Sequence, residues 1–90
     1  MRLAKQAVIR ELKGLKGWTL DGKEIRKEFR FREFADSVEF ANKVFYLAEE
    51  KDHHPDILIR YNKVMLTLST HSEGGVTEKD IILAREIERI

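Results

Sequence analysis

Residues 53–71 read HHPDILIRYNKVMLTLSTH, and their hydrophobic pattern predicts the central part of the fold. Two runs of alternating apolar side chains flank its centre: Ile57, Ile59 and Tyr61, then Val64, Leu66 and Leu68. Alternation with a period of two is typical of half-buried β-strands. A tight turn is expected at Tyr61-Asn62-Lys63, so the stretch predicts a hairpin of two antiparallel strands.

The segment before this hairpin, from about Glu33 to Lys51, has its apolar residues at helical spacing. They form two adjacent stripes: Phe34, Val38, Ala41, Phe45 and Ala48 in one, and Phe40, Val44 and Leu47 in the other. Such a wide apolar face predicts a helix that packs on a sheet and offers part of its surface to a second helix or subunit.

The remaining segments complete an α-β-β-α-β-β-α order. A short helix is expected around Val8, and the Asp21-Gly22 pair predicts a second hairpin that leads into a strand over 24–31. After a glycine-rich loop, Thr77 opens the last helix with Asp80 at capping-box spacing. Two hairpins joined by a helix predict an α+β two-layer domain, in which a four-stranded antiparallel sheet carries three helices on one face.

Composition limits the class of protein. Ninety residues suit one domain, taken here as 1–90. The chain has no cysteine, which excludes disulfides, thiolate zinc sites and a cysteine nucleophile. A net charge of +1 and the lack of a long apolar run argue against nucleic-acid and membrane partners, and the N-terminus lacks a signal-peptide pattern. A cytoplasmic location is therefore expected.

All three histidines of the chain, His53, His54 and His71, fall within residues 53–71. In a hairpin with a two-residue turn, the start of the first strand lies beside the end of the second. His71 should therefore meet the His53-His54 pair, provided that the hairpin has this register. Pro55 disfavours helical geometry at His54, so it should end the long helix and turn the pair out near the end of the sheet.

Three convergent imidazoles allow more than one function. Histidine exchanges protons near neutral pH, so one ring could act as acid and another as base. A zinc site that activates water is an alternative, although the side chains of His53 and His54 would diverge in an extended chain. In the simplest interpretation the pair only adds positive charge at a helix C-terminus and His71 only ends a strand.

Three nearby side chains have both a structural and a functional interpretation. Glu49 lies one helical turn before His53 and is within reach to orient its ring, or is an ordinary solvated charge. Asp80 caps the last helix, faces the histidines, or does both. From its position in the alternating run, Tyr61 is expected to be a strand core residue rather than a catalytic phenol.

The pattern Glu49-x3-His53-His54-Pro55-x5-Tyr61-x9-His71-x8-Asp80 resembles the signature of the pterin-4a-carbinolamine dehydratases. The resemblance covers about residues 10–90, including Leu15-x2-Trp18 and Gly74-Gly75-Val76-Thr77. One departure is Ser72-Glu73, where many members have an Asp after the histidine, and it bears on loop polarity or substrate preference. The resemblance implies the α+β fold predicted above and a homodimer or homotetramer that associates through sheet edges and helices.

The same resemblance implies a reaction and a set of site residues. The reaction is dehydration of 4a-hydroxytetrahydropterin to quinonoid dihydropterin and water, a hydro-lyase step in tetrahydrobiopterin recycling that needs no metal and no bound cofactor. By resemblance, the catalytic set is His53, His54 and His71, with His53 and His71 as the acid/base pair and His54 holding the pterin. The substrate-binding or orienting residues would be Glu49, Pro55, Tyr61 and Asp80.

Three other functions remain open from the sequence. Family members in animals also serve as dimerisation cofactors of a homeodomain transcription factor, so a non-catalytic protein-binding scaffold is the main alternative. A metal hydrolase built on the three histidines is the second. Binding of RNA or DNA on the open sheet face has little support, because that face has few aromatic residues to stack on bases.

Overall fold

The computed structural model describes residues 1–90 and contains seven main elements. These are α1 (Lys5–Leu12), β1 (Thr19–Asp21), β2 (Glu24–Arg30), α2 (Phe34–Lys51), β3 (Asp56–Arg60), β4 (Lys63–Leu68) and α3 (Glu78–Ile87), with a short 3-10 turn at His71–Glu73. The strands form one sheet in the order β1-β2-β4-β3, and every neighbouring pair is antiparallel. The predicted α+β fold is confirmed. None of the helices combines the length and the apolar character that crossing a membrane requires.

The core lies between the sheet and the helices. Alternate residues of β4 face inward and are fully buried: Val64, Leu66 and Leu68. They belong to one buried cluster with Val8 of α1, Val44 of α2 and Leu83 of α3. Because all three helices contribute to a cluster on the inner face of the sheet, they cover the same face, as the sequence predicted.

Lys27 is the one charged residue on the inner face of β2, and the structure explains it. Its ammonium group donates to the carboxylate of Glu88 at 2.9 Å and to the backbone carbonyl of Lys16 at 2.9 Å. It also lies 4.6 Å from the centre of the Phe29 ring. The indole N–H of buried Trp18 donates to the same Glu88 carboxylate at 2.9 Å. Polar partners therefore satisfy both Lys27 and Trp18 at the rim of the core.

The β3–β4 hairpin corrects the expectation for Tyr61. Arg60 pairs with Lys63, so the two-residue turn consists of Tyr61 and Asn62. Tyr61 has a φ of 49°, as favoured two-residue hairpin turns require, and 65% of its surface is exposed. The prediction that Tyr61 is a strand core residue was therefore wrong.

The first hairpin is displaced by one residue from its predicted position. Asp21 pairs with Glu24, so the loop is formed by Gly22 and Lys23 rather than by Asp21-Gly22. Gly22 has a φ of 63°, which a residue without a side chain adopts freely. Gly22 therefore predicted the existence of the turn correctly. The pairing of β1 with β2 determines which two residues form the loop.

Helix α2 buries a line that runs between the two predicted stripes. Its buried residues are Ser37, Ala41, Val44 and Ala48. Phe34, Phe45 and Tyr46 are 51%, 47% and 78% exposed. Small side chains at the buried positions bring the helix close to the sheet, while large aromatic residues remain on its outer surface.

Candidate active site

The end of helix α2 sets the direction of the two adjacent histidines. The helix stops at Lys51, and Asp52 takes the left-handed conformation with a φ of 51°. The backbone N–H of His53 then donates to the carbonyl of Ala48 at 3.1 Å, which closes the helix terminus. His53 and His54 therefore lie outside the helix, in the short segment that leads through Pro55 into β3.

All three histidines line one cleft of about 320 Å³ at the end of the sheet. Asp56 pairs with Thr67 in the β3–β4 hairpin, which places the start of β3 beside the end of β4. Every residue that lines the cleft is polar: Asp52, His53, His54, Ser69, Thr70, His71, Ser72 and Lys79. The predicted convergence of the histidines is confirmed by the hairpin register.

A buried carboxylate holds the ring of His53. Nε2 of His53 lies 2.6 Å from Oδ1 of Asp80, whose side chain is fully buried. The other carboxylate oxygen accepts from the backbone N–H of Thr77 at 2.9 Å and from the hydroxyl of Thr70 at 2.8 Å. An ionised carboxylate only accepts, so Nε2 of His53 is the donor and Nδ1 is left as the proton acceptor of the neutral ring.

Asp80 therefore has both of the roles that the sequence allowed. It completes the capping box of α3 with Thr77, and it orients His53. This arrangement ties the position of a cleft histidine to the first turn of a helix.

Thr70 is a site residue that sequence reasoning missed. Its hydroxyl lies 2.7 Å from that of Thr77 and donates to Asp80, and its backbone pairs with Gly75 to close the loop that carries His71. Thr70 directly precedes His71, but nothing in the local sequence signals a partner ten residues later. Thr70 thus joins the loop of one cleft histidine to the carboxylate that holds another.

Glu49 pairs with His54. From the sequence, Glu49 was within reach of His53 instead. The Glu49 carboxylate lies 2.5 Å from Nε2 of His54, with both side chains more than half exposed. The one-turn spacing from Glu49 to His53 would hold only if the helix continued through position 53. Because α2 ends earlier, His53 turns toward Asp80 and His54 takes the place near Glu49.

A second, partly apolar cleft of about 520 Å³ adjoins the first at His54. Glu49 and Pro55 lie in its wall together with Phe45 of α2 and Ile57 of β3. The histidine cleft thus continues into a region with apolar walls and two carboxylates, those of Glu49 and Asp56. A flat ring with a polar edge fits such a combination of surfaces.

His71 differs from the other two histidines in its surroundings. It is exposed in the 3-10 turn, which Gly74 ends with a φ of 72°. The two histidine-ring hydrogen bonds in the chain are those of His53 and His54, so the His71 ring is free to approach a ligand.

Tyr61 is not brought to the histidines of its own chain. It lies in the hairpin turn, whereas the histidines lie at the other end of the same strands. A five-residue strand separates the two ends by about 16 Å. Within one chain, therefore, Tyr61 lies outside the cleft.

Nowhere in the chain do three or more His, Asp or Glu side chains converge as a ligand set for a metal ion. A separate cleft of about 480 Å³ lies beside the N-terminal segment, between Arg2 and Lys23. It contains no histidine or carboxylate, whereas the histidine cleft contains all three histidines of the chain.

Comparison with known proteins agrees with this geometry. A sequence model of the family described as "Pterin 4 alpha carbinolamine dehydratase" matches residues 1–90. A protein of Sulfolobus acidocaldarius, provisionally named pterin-4-alpha-carbinolamine dehydratase, is 48% identical over 100% of this chain and 99% of its own. A Roseiflexus castenholzii protein with the same provisional name is 49% identical over 98% of this chain and 96% of its own.

Two solved structures resemble the structure of this chain. A crystal structure of a transcriptional coactivator/pterin dehydratase from Brucella melitensis has a TM-score of 0.93 and 40% identity, covering 99% of this chain and 97% of that one. A pterin dehydratase-like protein described as a RuBisCO assembly factor in the alpha-carboxysome has a TM-score of 0.66 and 22% identity, covering 80% and 83% of the two chains, and shares the fold alone. On the full-length match and the close relatives, the chain belongs to the pterin-4-alpha-carbinolamine dehydratase family.

Proposed function

We propose that this protein dehydrates 4a-hydroxytetrahydropterin to quinonoid dihydropterin and water, as a step of tetrahydropterin recycling. The observation that carries the proposal is the single polar cleft lined by His53, His54 and His71. The family and the names of the relatives give the substrate class. The cleft supplies groups that move protons near neutral pH.

The reaction needs two proton transfers. One proton goes to the hydroxyl on C4a, so that the C–O bond breaks and the hydroxyl leaves as water. A second proton leaves a ring nitrogen of the pterin, and its electron pair forms the C=N bond of the product. Each positioned acid or base contributes about 10²–10⁴-fold to such a reaction.

The surroundings of the histidines support a division of roles. We assign the proton transfers to His53 and His71, and pterin binding to His54 with Glu49. Asp80 holds His53 in one tautomer, so its free nitrogen has a defined position. His71 has no partner within the chain and lies on a loop that Thr70 and Gly75 close. The apolar wall at Phe45 and Pro55 would receive the flat ring system.

The test is the dehydration of chemically generated 4a-hydroxytetrahydropterin, followed by ultraviolet absorbance in buffer that contains a metal chelator. The wild-type protein should accelerate the reaction above the uncatalysed rate, and His71→Ala should lose about 10²-fold or more of that acceleration. Lys23→Ala is a matched control, since Lys23 lies beside the N-terminal cleft and should leave the rate unchanged. A folded wild-type protein that only matches the blank would refute the proposal.

A second candidate is a protein-binding scaffold, and one observation favours it. The Brucella melitensis structure is described as a transcriptional coactivator as well as a pterin dehydratase. The exposed aromatic residues Phe45 and Tyr46 of α2 would be the contact surface. For a scaffold, His71→Ala should leave partner binding intact while Tyr46→Ala weakens it, whereas the dehydratase predicts that His71→Ala abolishes the acceleration.

A further inference from the structure

The position of the His71 ring depends on the backbone that carries it. The ring makes no hydrogen bond within the chain, unlike the rings of the other two histidines. The loop over 71–76 is closed from within by an isolated bridge between Thr70 and Gly75. The N–H of Gly74 also donates to the carbonyl of His71 at 3.1 Å. Since no side-chain contact holds the ring, the conformation of this loop sets where the imidazole lies.

The first residues of the chain lie beside this loop and bond to its backbone. The backbone N–H of Leu3 donates to the carbonyl of Val76 at 2.7 Å. One residue earlier, Nη1 of Arg2 donates to the carbonyl of Gly74 at 3.3 Å. Two successive residues of the N-terminal segment therefore hold two nearby carbonyls of the loop.

The side chain of Arg2 also packs closely on Gly75. A Cβ atom at position 75 would lie 3.3 Å from Cδ and 3.6 Å from Cβ of Arg2, so the absence of a side chain there lets the Arg2 stem approach the loop backbone. Arg2 thus contacts both Gly74 and Gly75. The carbonyl of Gly75 in turn accepts from the N–H of Thr70 at 2.9 Å, directly before His71.

The N-terminal segment is itself anchored to the core. Leu3 packs against the buried core cluster, and Val8 of α1 belongs to that cluster. Arg2 precedes these two anchors and reaches the loop with its side chain. It therefore connects the core of the domain to the loop that carries His71.

Two other positive groups nearby make no comparable contact. Lys5 lines the same N-terminal cleft as Arg2, but its side chain takes part in no hydrogen bond and no ion pair. The amino group of Met1 lies 3.1 Å from the carboxylate of Glu73, yet both groups are well exposed, and such a pair contributes little. Lys5 is therefore a matched control for the loss of positive charge at Arg2.

We propose that Arg2 is a positioning residue for the dehydration, which holds the backbone at Gly74 and Gly75 and thereby keeps the His71 imidazole where it exchanges a proton with the pterin. Arg2 does not contact the substrate, because the N-terminal cleft that it lines shares no residue with the histidine cleft. The effect on the reaction rests on the proposed function, in which His71 transfers a proton, whereas the effect on the loop does not.

Steady-state kinetics of Arg2 variants test the role in the reaction. Arg2→Ala should lower kcat by about tenfold, because a displacement of about 1 Å of a reacting group costs up to about 10²-fold. KM should stay within about twofold, since the side chains that we assign to pterin binding do not touch this loop. Lys5→Ala should match the wild type in both constants. A wild-type kcat for Arg2→Ala, or an equal loss for Lys5→Ala, overturns the proposal.

Conservative variants separate the hydrogen bond from the packing of the stem. Arg2→Lys keeps an aliphatic stem and a charged donor and should recover most of the lost kcat, while Arg2→Met keeps only the stem and should recover less. An Arg2→Lys protein no better than Arg2→Ala would overturn the role of the bond to Gly74.

Amide hydrogen exchange tests the hold on the loop without any substrate. In Arg2→Ala the amides of Thr70 and Gly74, which bond within the loop, should exchange about tenfold faster than in the wild type, while the amides of β4 stay within about twofold. Lys5→Ala should change neither set. Unchanged loop amides, or an equal acceleration throughout β4, would overturn the proposal, since the second result indicates a loss of global stability instead.

The imidazole resonances report the same change at the ring. In Arg2→Ala the resonances of His71 should shift, while those of His53 and His54 keep their positions because other contacts hold them. Three unchanged rings would overturn the proposal. If the wild-type protein lacks dehydratase activity, the proposed function fails, and the exchange and NMR measurements still decide whether Arg2 holds the His71 loop.

Discussion

Replacing Asp80 with asparagine tests whether the buried carboxylate positions His53. Asp80 accepts three hydrogen bonds, from the His53 ring, the Thr70 hydroxyl and the Thr77 backbone N–H. Asparagine has nearly the same shape but presents an NH₂ donor where the carboxylate has an acceptor. If its oxygen keeps the two threonine bonds, its NH₂ group faces Nε2 of His53. The ring must then take the other tautomer, with the proton on Nδ1.

The effect on stability follows from these three bonds. A hydrogen bond to a charged group contributes about 1.5–3 kcal/mol and a neutral one about 0.5–1.5 kcal/mol. The neutral amide also costs less to bury than the carboxylate, which offsets part of the loss. We expect Asp80→Asn to lose about 1–3 kcal/mol of the free energy of unfolding, out of about 5–15 kcal/mol for a domain. In a thermal melt this lowers Tm by roughly 5–20 °C, and the protein remains folded at room temperature.

The effect on the reaction should be larger than the effect on stability. The tautomer change removes the acceptor nitrogen of His53, so the dehydration rate should fall by about 10²–10⁴-fold. Nitrogen NMR of the imidazoles reports the tautomer directly. Thr70→Val is the matched control, because it removes one bond to Asp80 and the bond to the Thr77 hydroxyl but keeps the charge and the His53 contact. It should lose about 1–3 kcal/mol of the free energy of unfolding but less than tenfold in rate. An Asp80→Asn protein with the wild-type rate would refute this reasoning.

Three further predictions concern the surroundings of the core and the cleft. Leu66→Ala, at a fully buried position of β4, should lose about 2–5 kcal/mol in urea unfolding; a loss below 1 kcal/mol would contradict the proposed core. Glu88→Ala leaves the buried Trp18 indole N–H without its acceptor and should cost about 1–3 kcal/mol, visible as a lower Tm, while Glu88→Gln should recover part of it. Glu49→Gln should change the free energy of unfolding by less than about 0.5 kcal/mol, because the pair with His54 is exposed, and should raise KM more than it lowers kcat. An unchanged KM would exclude Glu49 from substrate binding.

The sequence predicted the part of the site that depends on strand periodicity. Alternation over 57–68 fixed the two strands, and one of the two allowed turn positions brought His71 to the His53-His54 pair. The capping-box spacing likewise placed Asp80 at the start of α3. These features follow from local patterns that any sheet or helix of this type shares.

The partners of the histidines depended on features that are not local. Asp52 adopts the left-handed conformation and ends α2 before position 53. As a result, Glu49 contacts His54 rather than His53. Thr70 reaches Asp80 only after the loop between them has folded back. Lys27 lies on the otherwise apolar inner face of β2, and no local pattern identifies its partner, because Glu88 is 61 residues away in the sequence.

In the proposed function, one bound pterin contacts all three histidines. Titrating the protein with a dihydropterin and following the imidazole resonances by NMR tests this most directly. The chain has only three histidines, so single His→Gln variants assign every signal. We predict that the resonances of His53, His54 and His71 all shift and saturate with one common Kd. Resonances that stay unchanged while the ligand perturbs residues around Arg2 and Lys23 would contradict the claim, since the pterin would then occupy the N-terminal cleft.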